Sequence, residues 1–425
     1  MREMKDSGVD WIGMIPSHWG TLENKFYCER IYSGGTPDSN NPNYWDGDIP
    51  WIPSGSCQDC LITSAPKSIT QDGLNNSSTR YIPAGTTVMA MTGATCSKVG
   101  YVTFDTCMNQ SVIAFVENKK ICSSKYLYYL YQAAREYILT FQTGGAQSGI
   151  NGQNCRNLVM PFLPLSEQQR IADVLDRKCA EIDKVLVKTK TSIEEYKKLK
   201  QSVITKAVTK GIRGERPMKD SGIDWIGEIP KEWTVIKFGY CAHIKSNLVD
   251  PSLYPDYPQI APDVIGKGNA KIEGEITSVK ESGIISWNHL FSKGQIIYSK
   301  IRPLLNKLII APFDGLCSAD MYPIESDLDI SFTKYMMLSS YFLEQVKQVT
   351  EDRVKMPKVN QEELSAFKVV IPPCKSEQVA IASYLDQKCS EIDSLIASKE
   401  KFITELELYK KSLIYEYVTG KKEVL

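Results

Sequence analysis

The chain writes two of its segments twice. Met4 to Trp19 reads MKDSGVDWIGMIPSHW and Met218 to Trp233 reads MKDSGIDWIGEIPKEW, identical at 12 of 16 positions at an offset of 214. SEQQRIADVLDRKCAEID from Ser166 returns as SEQVAIASYLDQKCSEID from Ser376, at an offset of 210. The residues between hardly resemble each other. A repeat of this kind predicts one frame used twice around two variable inserts. Such a molecule is suited to reading two different things at a fixed separation.

The second repeated segment predicts a long helix in each copy. Leu175, Cys179, Ile182, Leu186, Thr189, Ile193, Tyr196, Lys200, Val203 and Ala207 alternate at spacings of four and three. Leu385, Cys389, Ile392, Ile396, Lys399, Ile403, Leu406, Lys410, Leu413 and Tyr417 do the same. Eight of ten positions are apolar in each series, the seam of a coiled coil. Ser166 and Ser376 read as N-caps, with Gln169 completing a capping-box pattern, and Gly211 and Gly420 stand near the far ends. About 40 residues give roughly 60 Å of helix. The matching phase makes the other copy the nearest partner, antiparallel within the chain, which places the inserts at opposite ends of a stiff pair. The alternatives are packing on the helix's own globular domain or on another subunit.

In the inserts, Gly, Pro, Asn and Asp punctuate short β-branched and aromatic runs: Thr86–Met91, Ser111–Val116, Gln295–Ser299 and Leu308–Ala311. One amphipathic helix follows in each. Leu127, Leu130, Tyr131, Ala134, Ile138 and Phe141 share a face in the first, ended by Gly144-Gly145; Phe332, Tyr335, Met336, Leu343 and Val346 do so in the second. A polar loop comes next, TGGAQSGINGQN from Thr143 and TEDRVKMPKVNQ from Thr350. Both inserts read as α+β domains with a mainly antiparallel sheet.

Composition narrows the function. Lys and Arg number 50, as do Asp and Glu, so the basic excess of a self-sufficient DNA binder is missing. No apolar run reaches the roughly 20 residues of a membrane span, and the charged start MREMKDSG carries no secretory stretch, so the expectation is a cytoplasmic protein. The 12 cysteines are scattered apart from Cys57 and Cys60, which read as a turn with two free thiols rather than half a zinc site. No phosphate loop, nucleophile elbow or metalloprotease helix is present. Asn41-Pro42-Asn43-Tyr44 lacks the second proline of a DNA amino-methyltransferase loop. Pro37, Asp38, Glu117 and Lys119 make a nuclease pattern of a kind that arises by chance in most chains of this size.

Taken in order, these residues resemble the specificity subunit of type I restriction–modification systems. The resemblance covers nearly the whole chain. It includes D-W-I-G-x-I-P-x-x-W before each insert, Ser33 to Pro37 (SGGTP), Tyr44 to Trp51 (YWDGDIPW), Ser299 to Pro303 (SKIRP), Cys317 to Asp320 (CSAD), and the Pro-rich approach to Glu-Gln at each long helix.

The resemblance implies two target-recognition domains, mainly antiparallel β with a helix, separated by two long antiparallel coiled-coil helices in a pseudo-two-fold repeat. Residues 1–165 would hold the N-terminal segment and first domain, 166–213 the first spacer helix, 214–374 the repeated lead-in and second domain, and 375–425 the second spacer helix. Each domain would read one half of a bipartite, asymmetric site in double-stranded DNA. The helices would set the spacer and dock two modification (methyltransferase) subunits. Catalysis would lie in those and in restriction/translocase subunits, which carry S-adenosylmethionine, ATP and magnesium; this chain would carry no cofactor. The setting would be DNA methylation and phage defence.

Base readout needs Arg or Lys for guanine and Asn or Gln for adenine, on loops able to enter a groove. The candidates are Thr36, Tyr44, Lys98, Gln147, Ser148 and Asn151 in the first insert, and Lys300, Arg302, Lys355, Lys358 and Asn360 in the second. For each, the competing reading is a solvated loop or a capping side chain. Ser148 and Lys358 are equivalent positions at the 210 offset, which puts both loops at the same place in the frame. Gly34, Gly35, Gly144 and Gly145 read as shaping loops, and Trp11, Trp19, Trp225 and Trp233 as packing of the duplicated frame.

Overall fold

The computed structural model describes residues 2–144, 148–353 and 355–424. The chain forms two compact units, Met1–Thr189 with Lys401–Leu425, and Lys190–Glu400. Two long helices, Leu165–Lys210 of 46 residues and Lys375–Val418 of 44, each contribute to both.

In the first unit, a five-stranded sheet has the order Cys28–Ser33, Val112–Glu117, Thr87–Ala90, Val99–Val102, Cys60–Ile62, antiparallel except for its last pair. The run Val-Ile-Ala-Phe-Val from Val112 is buried throughout because the two strand faces meet different cores. Ile113 and Phe115 join the helices, while Val112 and Ala114 face a second cluster with Ile52, Ile82 and Val102. Cys107–Met108, Trp45–Ile52 and Lys67–Ile69 make a smaller sheet with one parallel pair. Gly20–Glu23 and Val159–Phe162 close the insert against the long helix.

The second unit follows the same plan. Ala242–Ile244, Met321–Ser326, Ile296–Ser299 and Leu308–Ile310 form its four-stranded antiparallel sheet. Its other sheet has five strands: Leu248–Val249, Asn288–Phe291, Gly315–Ser318, Pro258–Ile260 and Thr277–Ser278. The first two have no counterpart in the first unit's smaller sheet.

The seam is as the spacing predicts: Leu175, Ile182, Leu186, Ile193, Leu385, Ile392 and Leu413 are buried, and Tyr196, Val203, Ile396, Ile403 and Leu406 are half-buried. The helices pack antiparallel in both units. In the first, Leu175 to Leu186 share a core with Leu413, Tyr417 and Val418; in the second, Ile204 and Val208 share one with Ile381, Leu385 and Cys389. Two of the three lysines that interrupt the seam form ion pairs across it, and the third, Lys399, lies over the Tyr196 ring at 5.5 Å. Lys410 Nζ lies 2.6 Å from Asp183, and Lys200 Nζ lies 2.6 Å from Asp393. Each pair is the image of the other under the 210 offset, with the partners exchanged between helices.

Asp393 also binds Lys271 at 3.0 Å. Burial works to raise its carboxyl, but the hydrogen bonds and attraction of Lys200 and Lys271 outweigh it and hold the group below the usual carboxylate range. A depressed folded-state pKa gives stability present in full above the unfolded value of about 3.9 and lost as pH falls through the folded one. Denaturant titrations from pH 5 to pH 2.5 are therefore expected to show a loss that is smaller in the double variant Lys200→Met/Lys271→Met.

Three details differ from the sequence reading. The helices start ahead of Ser166 and Ser376. The amides of Glu167 and Gln168 donate to the Pro164 carbonyl at 2.9 and 3.1 Å, and those of Glu377 and Gln378 to Cys374 at 3.2 and 3.4 Å. Because those carbonyls already accept the first helical bonds, both serines lie inside the first turn. The single amphipathic helix expected in each insert is broken into two, Ser124–Ala133 then Arg135–Leu139, and Ile330–Leu338 then Ser340–Thr350. The second break sits at Ser339, which is extended (ψ 154°), while the Thr205 hydroxyl accepts from the Ser340 amide at 2.9 Å. Finally, Trp19 and Trp233 are buried and Trp11 stacks on Tyr137 at 5.5 Å, but Trp225 remains 42% exposed.

Candidate nucleic-acid interface

Each unit has a corner where three backbone segments meet at the end of its central strand. In the second, Ile296–Ser299 runs out at Lys300. The Lys300 amide donates to the Asp320 carbonyl at 3.0 Å and its carbonyl accepts from Val359 at 3.0 Å. In the first, the Met91 amide donates to Ser111 at 2.8 Å and its carbonyl accepts from Ile150 at 2.9 Å. Bridges Thr92 to Gly149 and Ile301 to Lys358 complete the match. All these pairs share an offset of 209. Gly149, not Ser148, is therefore the counterpart of Lys358. The offset of 210 begins only after the closing strands, where the second copy has one more residue before its helix.

One residue on, the two corners share a backbone and differ in side chain. Gly93 has φ 70° and Arg302 has φ 43°. Glycine adopts this left-handed conformation freely. An arginine there costs about 1–2 kcal/mol, and the following Pro303 disfavours it further. The Arg302 amide is anchored to the Pro357 carbonyl at 2.9 Å. The side chain is exposed, with no hydrogen-bond or ion-pair partner among the described residues.

The other second-insert candidates gather round this corner. The Lys300 ammonium lies over the Tyr322 ring at 5.0 Å. Lys358 is exposed and 3.0 Å from the Asp320 carboxylate. Lys355 is exposed on the same loop and has no ion-pair partner among the described residues. Arg353 grips both oxygens of Glu363, and the Glu363 carboxylate in turn accepts from the Asn360 amide at 3.0 Å. Asn360 Oδ1 caps the helix Gln361–Ala366 by accepting from Glu363 N at 2.8 Å. An adenine contact using both ends of that amide would require breaking the cap.

In the first insert, the Thr36 hydroxyl donates to Gln110, the residue before Ser111, which puts it beside the corner. Ser148 is half-buried next to Gly149. The Lys98 carbonyl accepts from Ala90 at 2.9 Å, and its ammonium donates to Gln58 at 2.8 Å. Asn151 caps Gly152–Asn157, as Asn360 does in the other unit. Tyr44 ends a short turn, Pro42–Tyr44; its amide donates to the Asn41 carbonyl at 3.2 Å and its carbonyl accepts from the Thr70 amide at 3.0 Å. Gln147 and Gly145 lie outside the described residues. Gly34 shapes the loop by close approach, since a Cβ there would fall 1.9 Å from the Met108 carbonyl oxygen.

Sequence reasoning gave no role to Gln110 or Arg353, which orient the candidates, and took Asp320 only as the end of the run Cys317 to Asp320; their partners are 74, 10 and 38 residues away, so none of these pairings has a local signal. Cys57 is fully buried, and burial pushes its thiol well above the usual range, while Cys60 is exposed. Among the described residues no three His, Cys, Asp or Glu side chains are grouped to hold a metal. No helix among them is long and apolar enough to cross a membrane.

Two equivalent α+β units, each with a corner of the same backbone framework but divergent side chains and each sharing two paired long helices, define a duplicated recognition scaffold. The profile described as "Type I restriction modification DNA specificity domain" matches residues 16–195 and again 230–408. The chain belongs to that family. It is 32% identical over 290 residues to the EcoDI type I restriction enzyme specificity subunit of Escherichia coli, covering 65% of each protein. It is 30% identical over 165 residues to the EcoR124I/EcoR124II specificity subunit of the same species, covering 37% of this chain and 40% of that one. These matches thus span less than two thirds of either relative. A solved chain from a study of complex assembly in a type I restriction–modification system superposes with a TM-score of 0.73 at 14% identity, over 96% of this chain and 99% of that one, a likeness of fold.

Proposed function

We propose that this chain is the DNA-specificity subunit of a type I restriction–modification complex, each unit reading one half of a bipartite, asymmetric site. The observation that carries this is the pair of corners: one backbone framework at a constant offset, bearing Lys300, Arg302 and Lys358 in one unit and Met91, Gly93 and Gly149 in the other. A shared scaffold with different side chains at its corner implies two different half-sites. The long helices set the spacer, because two readers held apart by a fixed length contact only base sets at a matching distance.

The helices also dock two modification subunits. Those subunits and the restriction/translocase subunits supply methylation, ATP hydrolysis and cleavage, together with S-adenosylmethionine, ATP and magnesium. The formal net charge of zero supports this division, since partners that bring phosphate contacts relieve the chain of the basic excess a lone binder needs. The complex works in the cytoplasm. This chain is non-catalytic.

The test is half-site binding at fixed salt in the presence of the modification subunits. Arg302→Ala is expected to weaken binding about ten- to a hundredfold, with relaxed preference at the base it reads. Lys358→Ala is expected to cost less, because Lys358 must first leave Asp320. Preference in the other half-site stays as it was. Unchanged affinity in both variants would remove this corner from the reading surface.

A further inference from the structure

Beside the basic corner, the second unit projects apolar side chains into solvent. In the loop from Gly283 to Trp287, Ile285 is 92% exposed and Trp287 is 59% exposed. The base of the loop is built firmly. On one side stands the helix Val279–Ser282, with its Ser278/Glu281 capping box and Gly283 left-handed at φ 63°. On the other, buried Asn288 donates from its side chain to the Ser286 carbonyl at 2.8 Å. The indole nitrogen of Trp287 has no hydrogen-bond partner among the described residues.

Register places this loop next to the reading corner. Asn288, directly after Trp287, pairs with Ser318. Ser318 accepts through its hydroxyl from the Asp320 amide at 3.2 Å. Asp320 holds Lys300 by its carbonyl and Lys358 by its carboxylate. The strand that carries the loop, Asn288–Phe291, is one of the two that the first unit's smaller sheet lacks. An exposed Ile and Trp on a braced loop leave apolar surface in water unless a partner covers it. The ammonium and guanidinium groups alongside fit a polyanion, and apolar side chains in such a setting insert between base steps and unstack them.

We infer that Ile285 and Trp287 form a wedge that enters the DNA base stack at or beside the half-site read by the second unit. This rests on the DNA-reading function proposed above. Sensitivity of the site to base-step flexibility follows, since pyrimidine–purine steps open most easily.

The experiment uses the full chain with its modification subunits on a duplex carrying the site mapped by methylation sequencing, probed with permanganate, which attacks unstacked thymines. Wild type is expected to make one step at or flanking that half-site reactive. Ile285→Ser/Trp287→Ser is expected to abolish that reactivity and weaken binding about ten- to a hundredfold. Both residues are exposed, so the variant keeps its fold, checked by its unfolding midpoint. If permanganate finds no reactive step while Arg302→Ala still weakens binding, the wedge is wrong and the reading function stands. If wild type shows no sequence preference, the reading function itself fails and the wedge with it. Loss of modification-subunit binding with DNA contacts intact would give the patch to a protein partner and overturn the proposal.

Discussion

A complex carrying four extra residues in both long helices, inserted after Val187 and after Ala397, is expected to lose its original DNA site and gain one with a longer spacer. Four residues add about 6 Å of helix, against an axial rise of about 3.4 Å per base pair. The spacer should lengthen by about one to two base pairs while both half-site sequences stay the same. Four residues are close to one full turn, so the seam shifts phase by only about 40° and the coiled coil absorbs it as a stutter. The duplication makes the double insertion necessary: Lys410–Asp183 and Lys200–Asp393 keep one antiparallel register only if both helices grow together. Inserting into one helix alone is expected to break that register and abolish binding. Selection of sites from a randomised-spacer library reads all three outcomes.

The second large effect is expected at the lead-in of the second unit. Arg216 donates to Glu377 at 2.7 Å, to Glu232 at 3.0 Å and to the last-turn carbonyl of Lys210 at 2.8 Å, with its guanidinium 5.0 Å from the Trp233 ring centre. Glu377 is only 4% exposed. Arg216→Ala strands a buried carboxylate and an uncapped helix end, a loss of about 3–5 kcal/mol. The counterpart in the first unit is Arg2 with Glu167, at 3.2 Å and 24% and 18% exposed. There His18 at 2.9 Å and the Trp19 indole at 3.0 Å also hold the carboxylate. Arg2→Ala leaves those contacts in place and should cost about 1 kcal/mol. Hydrogen exchange separates the cases, with protection lost around residues 375–389 in the first variant and nearly kept around 165–179 in the second.

Patterns of burial were legible in the sequence, and pairings across the fold were not. The seam from Leu175 to Ala207 was readable because period and burial are the same fact seen twice. The helix starts were misplaced because Ser166 and Ser376 are good caps in isolation, yet Pro164 and Cys374 sit two residues ahead with carbonyls already committed. The break at Ser339 depends on Thr205, on a distant helix, so the apolar face of residues 332–346 looks continuous from within. The candidate loops were found by their polar composition, but the equivalence of Lys358 with Gly149 needed the strand ends. In Gly283–Trp287 an apolar run bounded by glycine reads like any short strand; only exposure sets it apart.

The most direct test is to exchange residues 234–367 for the same segment of a relative with a different recognition sequence and to map methylated adenines in cells that carry the modification subunits. One half of the methylated motif should change to the donor's, with the other half and the spacer untouched. A motif that changes in both halves, or a single uninterrupted sequence before and after the exchange, is incompatible with two independent readers held at a set distance.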